Sequence, residues 1–257
     1  MAITDTPWTG RTADKLYLTS GQFSSTLKTS EAIGGVDNSP FGMSWDGLNT
    51  VWLGQQADKL YLTSGQFSST IKTSGAAGTT GVRGCGSLQA SNTPFTESGA
   101  DKHILISGQF TTTVKSSVDV TAIDAVPEEV SWDATNTPWI GSDADKLYLT
   151  SGQFTSTIKT SEDISAVENA GTGISYDGTN TVWTGSTGDK LYLQSGQFTS
   201  TLKTSVDVGV VDTSPRGCGV NDYASRVGGP PPVSYVPYPH SHGIAAGMNP
   251  IHGGLAQ

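Results

Sequence analysis

The ten residues D-K-L-Y-L-T-S-G-Q-F stand at Asp14–Phe23 and recur letter for letter at Asp58–Phe67 and Asp145–Phe154, with near-copies at Asp101–Phe110 and Asp189–Phe198. Their G-Q-F triplets begin at Gly21, Gly65, Gly108, Gly152 and Gly196, a step of 43 or 44 residues. A fixed period of this size marks a chain assembled from copies of one supersecondary unit. An aromatic residue stands 13 positions before each triplet: Trp8, Trp52, Phe95, Trp139 and Trp183.

Each unit reads as four short strands. In unit five these are Gly173–Asp177, Asn180–Gly185, Lys190–Ser195 and Thr199–Ser205. Leu191 and Leu193 alternate with Tyr192, the period of a strand, whereas apolar residues nowhere keep a helical spacing. D-G-T-N and S-G-Q between strands supply Gly and Asn, which tolerate positive φ in turns. Gly is abundant (32 of 257) and only 14% of residues are charged, which suits an all-β chain.

Four strands per 43–44 residues is the arithmetic of a β-propeller blade; a solenoid is the competing architecture. The ends of the repeat array separate them. Unit one begins at its second strand, because Met1–Pro7 runs straight into Trp8. After unit five the chain continues S-P-R-G-C-G-V-N-D (Ser214–Asp222), matching S-P-F-G-M-S-W-D at Ser39–Asp46 and R-G-C-G at Arg83–Gly86. The late segment therefore provides the strand that unit one lacks. Such closure leaves no open end of the ring, and a solenoid has no use for it. The expectation is a five-bladed, four-stranded propeller over residues 1–224, followed by an extended tail over 225–257. The recurrent Trp residues are expected to pack blade on blade, with sugar stacking by one or two of them as the competing role.

The net charge of −9 and a pI near 4.7 argue against nucleic acid or an anionic membrane as partner, and no apolar run is long enough to span a membrane. All ten lysines fall at two repeat positions. Lys15, Lys59, Lys102, Lys146 and Lys190 each follow an Asp; Lys28, Lys72, Lys115, Lys159 and Lys203 form the second set. They read as rims that keep outer strands soluble and unpaired. A ring binding an acidic ligand is the alternative, with the adjoining Asp expected to neutralise the first set.

Several chemical motifs dissolve on inspection. S-x-x-K at Ser25/Lys28, Ser69/Lys72, Ser156/Lys159 and Ser200/Lys203 lies on a strand and lacks the partner motifs of serine β-lactamases. Asp46, Asp133 and Asp177 with Asn49, Asn136 and Asn180 fit side-chain-capped turns rather than an EF-hand. No phosphate loop, dinucleotide fingerprint or H-E-x-x-H occurs. His103 replaces a Leu and is expected to pack or to sit at a blade edge. His240, His242 and His252 lie in the tail without an ordered ligand set. Cys85 and Cys218 belong to non-adjacent blades and are expected as buried free thiols. M-A-I-T-D-T-P-W has neither the basic nor the apolar stretch of a signal peptide. Unit three departs from its siblings, with G-C-G-S-L-Q for the S-W-D strand, Phe95 for Trp and H-I-L for L-Y-L. A contact breaking the five-fold equivalence and neutral drift are both consistent with that.

From Tyr223 onward strand periodicity stops. The segment is rich in Pro, Gly and His, and its composition predicts a stiff extended chain that orders only on a partner. Tyr223, Pro230, Pro231, Pro232, Tyr235, Tyr238, His240 and His242 are the candidate anchor residues.

The repeats S-W-D-G-x-N-T-x-W and D-K-L-Y-L-x-S-G-Q-F-T-S-T-I-K-T-S resemble propeller repeats of virion-associated proteins of tailed bacteriophages. More loosely, they are similar to tachylectin-type five-bladed lectins and NHL-like propellers. The resemblance implies a non-enzymatic virion structural protein on tail, baseplate or capsid. It would be a knob for protein contact or host adhesion, anchored by the tail, made in the host cytoplasm and located on the virion. Its expected partners are other virion proteins and a host-surface glycan, with no cofactor. A free-standing lectin with one site per blade is the second expectation. An enzyme ranks third, since no nucleophile–base or carboxylate pair stands out from the repeats.

Overall fold

The computed structural model describes residues 5–219, apart from 21–25, 46–48, 65–70, 78, 86–91, 108–113, 133–134, 153–154, 177–178 and 198–201. Five antiparallel four-stranded sheets follow one another around an axis. Blade 1 holds β1 (Asp5–Gly10), β2 (Lys15–Ser20) and β3 (Leu27–Ala32). Blade 2 is β4 (Pro40–Trp45), β5 (Asn49–Gly54), β6 (Lys59–Ser64) and β7 (Ile71–Ala76). Blade 3 is β8 (Val82–Cys85), β9 (Asn92–Glu97), β10 (Lys102–Ser107) and β11 (Val114–Asp119). Blade 4 is β12 (Pro127–Val130), β13 (Asn136–Gly141), β14 (Lys146–Ser151) and β15 (Ile158–Asp163). Blade 5 is β16 (Gly171–Tyr176), β17 (Asn180–Gly185), β18 (Lys190–Ser195) and β19 (Leu202–Asp207).

The last strand, β20 (Pro215–Cys218), returns to blade 1 and pairs with β1, placing Trp8 opposite Cys218 and Gly10 opposite Pro215. The five-bladed ring is closed as its repeat arithmetic requires. In blade 5 the first strand starts at Gly171 and not Gly173, because Gly171 still pairs with Gly185. The fourth runs Leu202–Asp207 and not Thr199–Ser205, because Lys190 pairs with Asp207.

Blade-on-blade packing follows from the strand period. Trp8, Trp52, Trp139 and Trp183 are fully buried, and each stacks on the tyrosine directly across the ladder, with ring centroids 3.9–4.3 Å apart. That Trp–Tyr face meets the leucine face of the preceding blade. Leu16 and Leu18 pack on Trp52 and Tyr61, and Leu191 and Leu193 pack on Trp8 and Tyr17. Total burial rules out these rings as sugar platforms; their role is packing, at about 3–5 kcal/mol for truncation to Ala.

Closer to the axis, side chains of the second strand of each blade (strand b: β1, β5, β9, β13 and β17) link neighbours in two ways. Thr9 Oγ1 donates to the Phe41 carbonyl (2.7 Å), Thr96 Oγ1 to that of Glu128 (2.9 Å) and Thr184 Oγ1 to that of Arg216 (2.9 Å). Blades 2 and 4 carry Leu53 and Ile140 there and pack apolar clusters instead.

In four of the five blades a carboxylate latch holds the incoming chain to the next blade. The loop leaving blade 5 brings Asp212 to the β1–β2 turn. Its carboxylate accepts the amides of Thr12 (3.2 Å), Ala13 (3.0 Å) and Ser214 (3.1 Å), and the Tyr17 hydroxyl (3.2 Å). Asp37, Asp124 and Glu168 repeat this in blades 2, 4 and 5. Each carboxylate lies over a glycine that ends strand b, Gly10, Gly54, Gly141 or Gly185, where a Cβ would overlap it.

Blade 3 inverts the arrangement. Its incoming loop has no such acid, and Glu97 replaces the strand-b glycine, so the carboxylate comes from the opposite side and accepts the Thr79 hydroxyl. Ile104 accordingly replaces the tyrosine that would have donated to the loop acid. Three of the departures in unit three are therefore one compensated exchange.

Two outcomes are expected. A chain ending at Thr213 loses β20 and shows no cooperative unfolding transition by circular dichroism, whereas removal of Tyr223–Gln257 keeps it. Asp212→Ala strands three part-buried amides and lowers unfolding free energy by about 2–3 kcal/mol in denaturant titration.

Candidate functional site

The five inner strands β4, β8, β12, β16 and β20 stand side by side around the axis. In every blade the inner strand carries a β-bulge where it meets the second strand. Bulges re-aim side chains, and here four of the five bulged residues, Phe41, Arg83, Glu128 and Arg216, come together, while the fifth, Thr172, donates to the Pro215 carbonyl at 3.0 Å. The following residue is Gly42, Gly84, Glu129, Gly173 and Gly217. A Cβ on Gly42 would strike the Cys85 amide; on Gly173 and Gly217 it would strike the next inner strand's backbone. Backbone thus meets backbone at this level, and only glycine fits.

Glu129 is the exception. It is 1% exposed, and its Oε2 accepts the Ile174 amide at 2.7 Å. The Cys218 and Met43 amides also favour its charge, but burial outweighs them and holds the carboxyl well above the usual range. Gly84 makes room for its stem. One side chain thereby fills the axis that four glycines leave narrow.

Above this plug lies a basic mouth. The Arg216, Arg11 and Arg83 guanidinium carbons stand 5.1, 5.8 and 5.9 Å from the Phe41 ring centroid. Glu128, 4% exposed, pairs with Arg83 and accepts the Ser142 hydroxyl at 2.9 Å. Burial lowers the Arg216 pKa, and Arg11 and Arg83 push it the same way against Glu128. Burial raises Glu128 in turn, with Arg83 opposing. No motif pointed to this cluster. The available signal was basic-residue usage: the lysines recur in all five blades, while Arg11 occurs in one blade and the shared position of Arg83 and Arg216 in two.

The outer rim is the other exposed feature. Leu27, Ile71, Val114, Ile158 and Leu202 open the outermost strands and are 39–54% exposed. The next residue is a lysine in each blade, and the ladder skips it as a bulge, as between Thr19↔Leu27 and Leu18↔Thr29. A bulged lysine on an edge strand deters strand addition, which fits the rim role expected of that set. The first lysine set behaves differently. The Asp before each lysine has φ of 47–50°, and its carbonyl accepts the amide that follows the outer strand, as Ile33 to Asp14 at 3.0 Å. Burial and nearby acids push the Asp14, Asp145 and Asp189 carboxyls up. The neutralising pair expected there is instead a backbone turn, since Asp tolerates the left-handed region.

Cys85 and Cys218 are free and buried, and burial followed by Glu129 raises both thiols, so neither is an activated nucleophile. Among the described residues no group of three or more His, Cys, Asp or Glu could hold a metal ion. Asp46, Asp133 and Asp177 lie outside the described residues, as do the anchor candidates Tyr223, Pro230, Pro231, Pro232, Tyr235, Tyr238, His240 and His242.

No protein-family model and no curated protein matches this chain. Among solved structures, a chain of a nidogen–laminin complex aligns with a TM-score of 0.51 at 12% identity, covering 83% of each chain. The Myxococcus xanthus glutaminyl cyclase aligns at 0.51 and 14% identity, covering 70% of this chain and 89% of its own. At such identity the likeness is one of fold.

His103 packs inside, edge-on to Trp139 with ring centroids 4.7 Å apart, and desolvation lowers its pKa to about 3. The unfolded chain protonates it near its usual 6.5, so stability is lost as pH falls from there toward 3, by about 1.4 kcal/mol per unit. His103→Leu, the residue of the sibling blades, should remove about 2 kcal/mol of the loss between pH 7 and 5, read from denaturant midpoints at both values.

Proposed function

We propose that the chain is a non-enzymatic virion structural protein of a tailed bacteriophage. It would be a propeller knob that makes repeated contacts on tail, baseplate or capsid, or with the host surface. The observation that carries this reading is the five-fold rim, where each blade offers an exposed aliphatic side chain beside a bulged lysine on its outermost strand. Lone exposed aliphatics are ordinary, but five at one repeat position make equivalent stations for a multi-copy partner. The bulges bar simple strand addition, so side chains would supply these contacts. The resemblance of the repeats to phage virion propellers supports the same reading, and the segment Tyr223–Gln257 serves as the anchor to the particle.

Native protein should co-purify with virus particles, detected by mass spectrometry. Deletion of Tyr223–Gln257 should leave folded protein that is missing from those particles. Its unchanged incorporation would remove the anchor role. Saturable glycan-array binding at several equivalent sites per chain, without particle association, would favour the lectin reading instead.

A further inference from the structure

Arg11, Arg83 and Arg216 come from three distant parts of the chain and crowd one aromatic ring at the axial mouth. We propose that this mouth binds a single compact oxyanion, the carboxylate or phosphate group of a ligand. The site is separate from the rim and would stand whether or not the protein belongs to a virion.

Charge is the first argument. Three guanidinium groups gather here; Glu128 pairs with Arg83 and acts on Arg216, and Asp14 interacts with Arg11, so positive charge still exceeds negative locally on a protein whose net charge is −9. Folding has gathered like charges against their repulsion, and a bound anion would relieve it. Donor accounting is the second. Arg83 spends Nη1 on Glu128, while the Nε atoms of Arg83 and Arg216 are buried with no acceptor in the protein. Buried donors ordinarily find partners, and a guanidinium offers its donors as a fork matched to carboxylate and phosphate.

Geometry is the third. Bulges aim the inner-strand side chains of the cluster, and the Phe41 face braces all three guanidinium groups, so little ordering remains for binding to achieve. Glu129 reaches across the axis to the Ile174 amide, a buried floor for the cup that the three guanidinium groups form. The bulged position reads Phe, Arg, Glu, Thr, Arg around the ring, so no two neighbouring blades present the same residue there. That asymmetry calls for one site per ring rather than five.

Isothermal titration of the full chain at low salt, with inorganic phosphate and with glucuronate, tests this; glucose is the neutral control. One saturable site for either anion is expected, weakened by added sodium chloride. Response to only one anion identifies which group the cup prefers. Arg216→Gln should weaken binding by about tenfold, and the exposed Arg11→Gln, which leaves packing intact, by severalfold. Glu128→Gln removes the competing carboxylate and should tighten binding, a gain that misfolding cannot imitate. Absence of saturable binding, five equivalent sites, or unchanged affinity in Arg216→Gln and Glu128→Gln would overturn the proposal.

Discussion

The ring depends on backbone meeting backbone at its axis. Gly42, Gly84, Gly173 and Gly217 let one inner strand lie against the next, and threonine hydroxyls from the second strands bridge some of the same seams. Further out, three seams widen to take a Trp–Tyr stack against two leucines, the seam onto blade 4 sets the stack against Leu105 and His103, and the seam onto blade 3 uses Phe95 and Ile104. Small residues inside and large ones outside make each blade a wedge. Five such wedges close only because β20 supplies the missing inner strand, with the Asp212 latch holding it in register with β1.

Much of this was legible because it repeats. The second and third strands of unit five ran as their alternation indicated, Asn180–Gly185 and Lys190–Ser195, and closure followed from matching R-G-C-G at the two places where it occurs. Repetition does not reveal what a residue is for. The Asp before each lysine looked like a charge partner and is a left-handed turn residue. The latch acids were hidden because their partners lie up to 200 residues away and because Glu168 stands where siblings have Asp. Unit three fitted both a symmetry-breaking contact and neutral drift, because the bond from the Thr79 hydroxyl to Glu97 that compensates its missing loop acid leaves no mark in the repeat. The axial mouth was missed because it consists of the residues that do not repeat, and attention fixed on periodic positions passes over them.

Function divides along the same line. Whatever repeats builds the scaffold or the rim: the Trp–Tyr stacks of four blades, and the bulged lysines and exposed aliphatics of all five. Such features suit contacts made many times over by one molecule. Whatever occurs once gathers on the axis, where Arg11, Arg83, Glu128 and Glu129 give an otherwise symmetric body one distinct end. A many-fold contact and a single recognition event can therefore coexist on this fold without competing for surface.

Glu129 among the glycines has a consequence for assembly of the ring itself. Near-identical modules invite mispairing, since a strand from one copy can dock in the berth of another at little cost. Only β12 carries an acid at the axis, and only β8 precedes it with a glycine that admits that acid's stem. An inner strand without the acid, seated in the β12 berth, would leave the space that Glu129 fills empty and the Ile174 amide without its acceptor.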